Sequence, residues 1–265
     1  MAIEHLSPST LQSYRTCGKQ VYFSKILGIE NPVHYAMTSY GTAMHRAIEE
    51  LYKAKRLTKE GEQVHFENTF LDEWGKLSET VTQWKNDTAE HLAHEGVLAC
   101  EDFFVNVYGK YDIEFTEQKF NINRGDGAMP ILCFADAITK DGIIIDYKFG
   151  RGLSGVADSR SYACNMATYA WAYKELFEKM PTKIVFIKQK WKKRKDQETG
   201  KYMFYHDSFV IDEKDIKEEE IEFYKNVYDN VEVGIQAGVW LPATDDSFLC
   251  QSCGYRIMGL CKRSG

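Results

Sequence analysis

Two apolar runs, Ile131–Thr139 and Ile143–Lys148, carry Asp136 in the first and Asp146, Tyr147 and Lys148 in the second, with Lys140-Asp141-Gly142 between them. Apolar strands on either side of a short Asp-Gly loop predict a β-hairpin. Side chains alternate along a strand, so Asp146 and Lys148 share a face. The place of Asp136 depends on the loop. A two-residue Asp141-Gly142 turn pairs Asp136 with Tyr147 and puts the aspartates on opposite faces. A three-residue loop with Gly142 left-handed pairs Asp136 with Asp146. Like charges directly opposite on a sheet repel, and a divalent cation between them would neutralise the repulsion. An ordinary hairpin with scattered surface charge accounts for the same residues, so features elsewhere must decide.

Several other residues could join such chemistry. Glu117 lies in the alternating run Tyr111–Ile122, one strand before the hairpin, and would supply a third carboxylate. His45 adjoins the apolar stripe Met44, Ile48, Leu51, Tyr52 of a helix over Gly41–Tyr52. A helix over Ser161–Lys179 makes Asn165 and Tyr169 neighbours on one face. Lys190, Lys192, Lys193 and Arg194 form a basic run around Trp191. That run reads either as a nucleic-acid groove or as a solvated hairpin tip. Cys250 and Cys253 are separated by two residues, with Cys261 eight positions on, which supplies three thiolates. Cys17, in a Thr-Cys-Gly context at a helix break, is the best fourth. Four thiolates suit tetrahedral zinc or an iron–sulphur cluster, and thiolate chemistry alone does not choose between them.

The elements that must position these groups follow from capping and periodicity. Ser7 and Pro8 open a first helix, and Val21–Gly28 reads as a second, closed by glycine. Pro32 to Ser39 reads as a loop. Gly61–Tyr108 is helical, with apolar positions at Phe66, Phe70, Trp74 and Phe103, and forms a wall without obvious chemistry. Lys183–Trp191 and Tyr202–Ile211 form a second hairpin around the basic loop, and Asp212–Ala237 reads as a long charged helix. With 265 residues, 44% apolar and 27% charged, the composition is that of a globular domain. A net charge of −6 argues against a general basic coat. No apolar run reaches the roughly 18 residues of a membrane span, and the first residues lack signal-peptide character. The expected compartment is therefore the cytoplasm, where the seven cysteines stay reduced.

Taken together, Asp136, then Asp146-Tyr147-Lys148 on the next strand, an upstream helical Gly-Thr-Ala-Met-His45 and a downstream helix resemble the RecB-type PD-(D/E)XK nucleases. The iron–sulphur branch, with its CRISPR-associated RecB-like exonucleases, AddB nuclease domains and phage-encoded relatives, is the most similar. Its N-terminal Ser-Pro-Ser-x-Leu-x-x-Tyr-x-x-Cys segment is matched by Ser7 through Cys17, and its C-terminal cysteines by Cys250, Cys253 and Cys261. The resemblance implies that His45, Asp136 and Asp146 bind Mg²⁺ or Mn²⁺, together with the carbonyl of Tyr147. Lys148 would orient the attacking water or stabilise charge on the phosphate, and Glu117 matches the acidic position before the hairpin. The family's Gln-x-x-x-Tyr reads Asn165-Met-Ala-Thr-Tyr169 here, and its Pro-Asp reads Ala135-Asp136. It further implies a [4Fe-4S] cluster on the four cysteines, with zinc as the alternative there.

The chemistry is coherent on its own terms, since phosphodiester hydrolysis needs a Lewis acid, an activated water and charge stabilisation. A lysine beside two carboxylates stays protonated, so orientation and electrostatics suit Lys148 better than base catalysis. The expected fold is α/β (α+β): a PD-(D/E)XK restriction-endonuclease-like core with a mixed sheet flanked by helices, an N-terminal helical insert and cluster-stapled termini. Within one nuclease domain over 1–265, the staple takes 1–30 and 240–265, the helical wall 39–110, the catalytic core 111–211 and the long helix 212–239. The expected activity is that of a metal-dependent deoxyribonuclease, an exonuclease on single-stranded DNA or DNA ends in recombination, repair or phage DNA processing. Lys190, Lys192, Lys193, Arg194 and Tyr169 would contact the DNA, with Tyr14 and Trp191 as further stacking aromatics. A helicase or recombination partner is compatible with this reading. The alternative is a catalytically silent nucleic-acid-binding or assembly protein on a nuclease scaffold.

Overall fold

Ser7 caps the first helix, α1 (Pro8–Val21), by accepting the Thr10 amide at 3.1 Å, with proline in the first turn. The helix kinks at Cys17, whose backbone is extended (φ −160°, ψ 94°), and it runs on into a π-helical turn, Tyr22–Ile26. That turn replaces the α-helix expected from Val21. The computed structural model describes residues 3–54, 58–151, 160–197, 200–243, 248–251 and 253–261.

Helix α2 (Ala36–Lys53) begins inside the stretch expected to be a loop. Tyr35 bridges to Gln83, and its carbonyl accepts the Thr38 and Ser39 amides, so a tertiary contact sets the start. Helices α3 (Lys59–Ser78) and α4 (Ala89–Asn106) complete the wall. Phe66, Phe70, Trp74 and Phe103 pack there against Tyr40, Met44, Ile48 and Leu51 of α2. The two long helices touch at Gly96, where a Cβ would lie 1.9 Å from the Phe70 ring.

Behind this wall lies a five-stranded sheet of order β1-β2-β3-β4-β5, comprising β1 (Ile113–Ile122), β2 (Ile131–Thr139), β3 (Ile143–Lys148), β4 (Lys183–Lys195) and β5 (Tyr202–Lys214). All neighbours are antiparallel except β3 and β4. A parallel pair needs a crossover, which α5 (Arg160–Phe177) supplies. Helices α1, α5 and α6 (Glu218–Gln236) cover the other face, burying Leu11, Met166, Trp171, Ile221 and Tyr228 against it. The result is helices, mixed sheet, helices, as expected for the fold class.

Two boundaries differ from expectation. The basic run belongs to β4 itself: Arg194 pairs with Met203 and Lys195 with Tyr202. It carries no apolar alternation of its own, and cross-strand pairing overrides the local pattern. At the other end, β5 continues to Lys214, so the long helix starts at Glu218 instead of Asp212. Glu218, Glu219 and Glu220 then sit in its first turn, where carboxylates are favoured. The segment beyond α6 returns to α1. Tyr14 donates to the Val239 carbonyl at 2.5 Å, and Tyr255 to the Ile29 carbonyl at 3.1 Å, with the Tyr255 ring 5.1 Å from that of Phe23. Among the described residues, no helix is long and apolar enough to cross a membrane.

The loop of the first hairpin is the three-residue form. Ala137 pairs with Ile145 and Ile138 with Ile144, and the Gly142 amide donates to the Thr139 carbonyl at 3.0 Å. Gly142 is left-handed (φ +83°), and a Cβ there would stand 2.7 Å from the Tyr173 hydroxyl. Gly142→Ala is therefore expected to destabilise the fold by roughly 1–3 kcal/mol. Urea unfolding followed by circular dichroism checks this, with a lower midpoint and an unchanged slope as the expected result.

Candidate active site

The β2–β3 ladder stops at Ala137 and Ile145, although β3 continues along β4 as far as Lys148. Past that point the edge of β2 is taken by Leu6, which bridges Ile131 and exchanges backbone hydrogen bonds with Pro130 and Leu132 at 2.8 Å. A fork opens between the two central strands. Asp136 stands on one prong, and Asp146 and Lys148 on the other. The Asp136 carboxylate bridges the prongs by accepting the Tyr147 amide at 2.6 Å. The visible contribution of Tyr147 to the fork is this N–H; its ring is buried beside His45 and Phe103 on the helical-wall face.

The sheet changes phase at the same level. On β1, the side chains that face α5 and α6 are Phe115 and then Phe120 and Ile122; on β2 they are Ile131, Cys133 and Ala135 and then Ile138. Odd positions give way to even ones in both strands. The slip falls at Glu117, which is left-handed (φ +48°), and the pairs Thr116–Ala137 and Gln118–Ala135 bracket it so that it lies across from Asp136. A non-glycine residue in this region costs about 1–3 kcal/mol and persists only where its surroundings enforce it.

His45 on α2 completes the group, its Nδ1 lying 3.5 Å from Asp136 Oδ1. One ligand atom each from His45, Glu117 and Asp136 lie within 4.8 Å of one another. Among the described residues, this is the one set of three or more His, Cys, Asp or Glu gathered so closely. Burial first, and the Asp136 charge second, push the Glu117 carboxyl up to about 7 from 4.5. An imidazole and two carboxylates that crowd each other in this way are the donor set of a divalent cation with a preference for oxygen and some tolerance of nitrogen.

Asp146 lies deeper, 1% exposed. Its Oδ2 ion-pairs with Lys148 but receives no hydrogen bond of good geometry among the described residues. Its Oδ1 accepts the Tyr169 hydroxyl at 3.3 Å. Burial raises the Asp146 carboxyl, and Lys148 opposes that shift. Burial pulls Lys148 down, but the Asp146 and Asp136 charges outweigh it and hold its ammonium above the ordinary lysine range. Lys148 is thus a fixed cation, further held 5.4 Å over the Tyr162 ring. Tyr169 keeps its proton because burial raises it strongly, and the Asn165 side chain bonds to it.

The remaining candidates fall in two places. Lys190, Lys192, Lys193 and Arg194 are exposed on β4, with Lys192 paired to Asp207, Lys193 over Tyr202 and Arg194 over Tyr205. The arm begins at the site, since Trp191 donates to the carbonyl of Phe149, the residue after Lys148, at 3.1 Å. Tyr14 donates its hydroxyl to Val239 and Trp191 its indole N–H to Phe149, and both stay half-exposed, whereas Tyr169 is 6% exposed and its ring is closed to stacking. At the opposite end, Cys17, Cys250 and Cys253 all act electrostatically on Cys261, which burial raises. Their sulphurs are not gathered to the spacing of a single ion's ligands.

Two contributors escape a reading of the sequence. Tyr162 stands three and seven positions before Asn165 and Tyr169 on the same helical face, a spacing that could have pointed to it. Arg151 carries no such signal. It forms two hydrogen bonds with buried Asp87, at 2.6 and 2.8 Å, and lies between the Trp191 and Phe204 rings, tying the chain after β3 to the wall and the β4–β5 arm.

A forked mixed sheet with clustered acids and a lysine at the fork defines a class of metal-dependent α/β phosphoesterase scaffolds. The profile of the PD-(D/E)XK nuclease superfamily matches residues 5–259, and the chain belongs to that superfamily. Membership implies a nucleic-acid substrate and divalent-metal chemistry. A solved structure described as "Putative exonuclease" from Eubacterium rectale has the same fold, with a TM-score of 0.57 at 11% identity over 94% of this chain and 87% of that one. A second, SSO0001, aligns over 91% of this chain and 92% of its own at 14% identity with a TM-score of 0.35, and no argument rests on it. No curated protein matches the sequence.

The Glu117 shift has a testable sign. A carboxyl whose folded value lies above its unfolded one contributes stability that is complete below 4.5 and lost as pH rises through about 7. Metal-free protein is expected to melt at progressively lower temperature between these values, and Mn²⁺ to reverse the loss. Because a ligand must shed its proton, Mn²⁺ affinity is expected to fall by up to about tenfold per pH unit below 7. Calorimetric titration in buffers of different ionisation enthalpy checks this through the protons released.

Proposed function

We propose that the chain is a divalent-metal-dependent deoxyribonuclease, acting as an exonuclease on single-stranded DNA or DNA ends in recombination, repair or phage DNA processing. The observation that carries the reading is the fork, where His45, Glu117 and Asp136 gather beside the Asp146–Lys148 pair. His45, Glu117 and Asp136 would hold Mg²⁺ or Mn²⁺, with Asp146 and the Tyr147 backbone adjoining. The bound ion supplies Lewis-acid polarisation of a phosphate oxygen and a more acidic water. Lys148, kept protonated by two carboxylates, holds the phosphate and stabilises the charge that develops on it. Tyr169 and Asn165 fix the orientation of Asp146. The exposed bases of Lys190, Lys193 and Arg194 lead the strand toward the fork, so binding is expected to weaken with salt.

Cys17, Cys250, Cys253 and Cys261 would hold a [4Fe-4S] cluster. Support comes from the kink that breaks α1 at Cys17 and from the electrostatic reach of Cys17, Cys250 and Cys253 to Cys261. Anaerobically purified protein is expected to carry iron and the broad visible absorbance of such a cluster, and zinc without that absorbance overturns the assignment.

Asp136→Ala and Lys148→Ala are each expected to lower Mn²⁺-dependent cleavage of labelled DNA by about 10² to 10³ or more. Full activity in both purified variants would refute the site. DNA binding without cleavage under Mg²⁺ and Mn²⁺ would instead favour a silent scaffold.

A further inference from the structure

We infer that the cavity between the first turn of α1, β2 and α5 holds one unpaired base of the substrate strand, next to the phosphate at the fork. The inference rests on the deoxyribonuclease reading and narrows it to DNA that is unpaired at the cut. The cavity measures about 320 Å³, within the range of small-molecule sites, and His5, Ser9, Leu132, Phe134, Asn165 and Tyr169 line it. It leads inward to Tyr169, whose hydroxyl donates to Asp146, so its inner end is one hydrogen bond from the fork.

The lining decides what fits. Among the described residues no lysine or arginine lines it, which makes it a poor place for a phosphate and a good one for an uncharged base. The cation beside Asp146 is Lys148 at the fork, where the phosphate belongs. Phe134, 45% exposed, borders the cavity from the side of β2 opposite Asn165 and Tyr169, at the open edge of the strand, and leaves apolar surface there for a base to meet. Around it, His5, Ser9 and Asn165 supply both donors and acceptors for a base edge. Ser7 is already bonded to the Thr10 amide, so the helix end contributes shape more than charge. A base engaged in a duplex presents its edge to its partner strand and cannot enter.

The test uses single-stranded oligonucleotides in which one abasic residue is scanned along the strand, with Mn²⁺ and the full chain. At one position relative to the cut, loss of the base is expected to lower kcat/KM about tenfold, the scale of one base–aromatic stack. Phe134→Ala is expected to lose the same factor on intact DNA and nothing further on that abasic substrate. Ser9→Trp, at an exposed position, fills the mouth of the cavity. It is expected to raise KM for intact strands while melting temperature and Mn²⁺ affinity stay as in the parent. Independent, additive losses, or indifference to the missing base in a chain that cuts, overturn the pocket alone. Anisotropy with Ca²⁺ replacing Mn²⁺ reads binding without cleavage. A base-dependent signal in a chain that cuts nothing keeps the pocket and overturns the nuclease reading, and the absence of both overturns both.

Discussion

The hydrogen bond from the Tyr147 amide to the Asp136 carboxylate is the point at which a sheet becomes a site. On one side of it the two central strands run as a ladder of backbone pairs. On the other the strands have parted, and a side chain takes the place of a carbonyl. The three-residue loop sets the register that brings the two residues level, and Gly142 sets the loop. Everything acidic then follows from where the ladder ends: Glu117 across β2, Asp146 across the fork, and His45 from the helix above.

The electrostatic arrangement has a clear division. Asp146 and Lys148 form an ion pair largely out of solvent, in which Tyr169 donates to Asp146 Oδ1 while Oδ2 keeps only its charge contact with Lys148. This leaves them rigid and neutral together. His45, Glu117 and Asp136 are half-exposed, and the two carboxylates repel each other, which with burial leaves Glu117 titrating at about 7. One half of the site is finished by the fold, and the other half is completed by what binds it.

How much of this was legible varies by residue. The hairpin, its acids and Lys148 could be read because a short Asp-Gly loop and strand alternation are local signals. Glu117 was visible as a residue but its role at the phase slip was not, because periodicity assumes one phase per strand and a left-handed backbone inside a strand breaks that assumption. The strand over Lys192–Lys195 was hidden for a related reason: a run of cations has no faces, and only its partner strand gives it two. Arg151 and Asp87 were illegible because their pairing joins positions far apart in the chain, with nothing near either to announce the other.

The kink at Cys17 has a consequence for how the molecule is assembled. The half of α1 that follows it rests on Trp240 and Leu241 at Gly18, and the π-helical turn beyond it rests on Tyr255 through Phe23, so these partners lie far along the chain. Contacts of such long sequence separation form slowly. The sheet, the wall and the fork can assemble while Phe23 still lacks the Tyr255 ring, so this contact closes last, like a clasp.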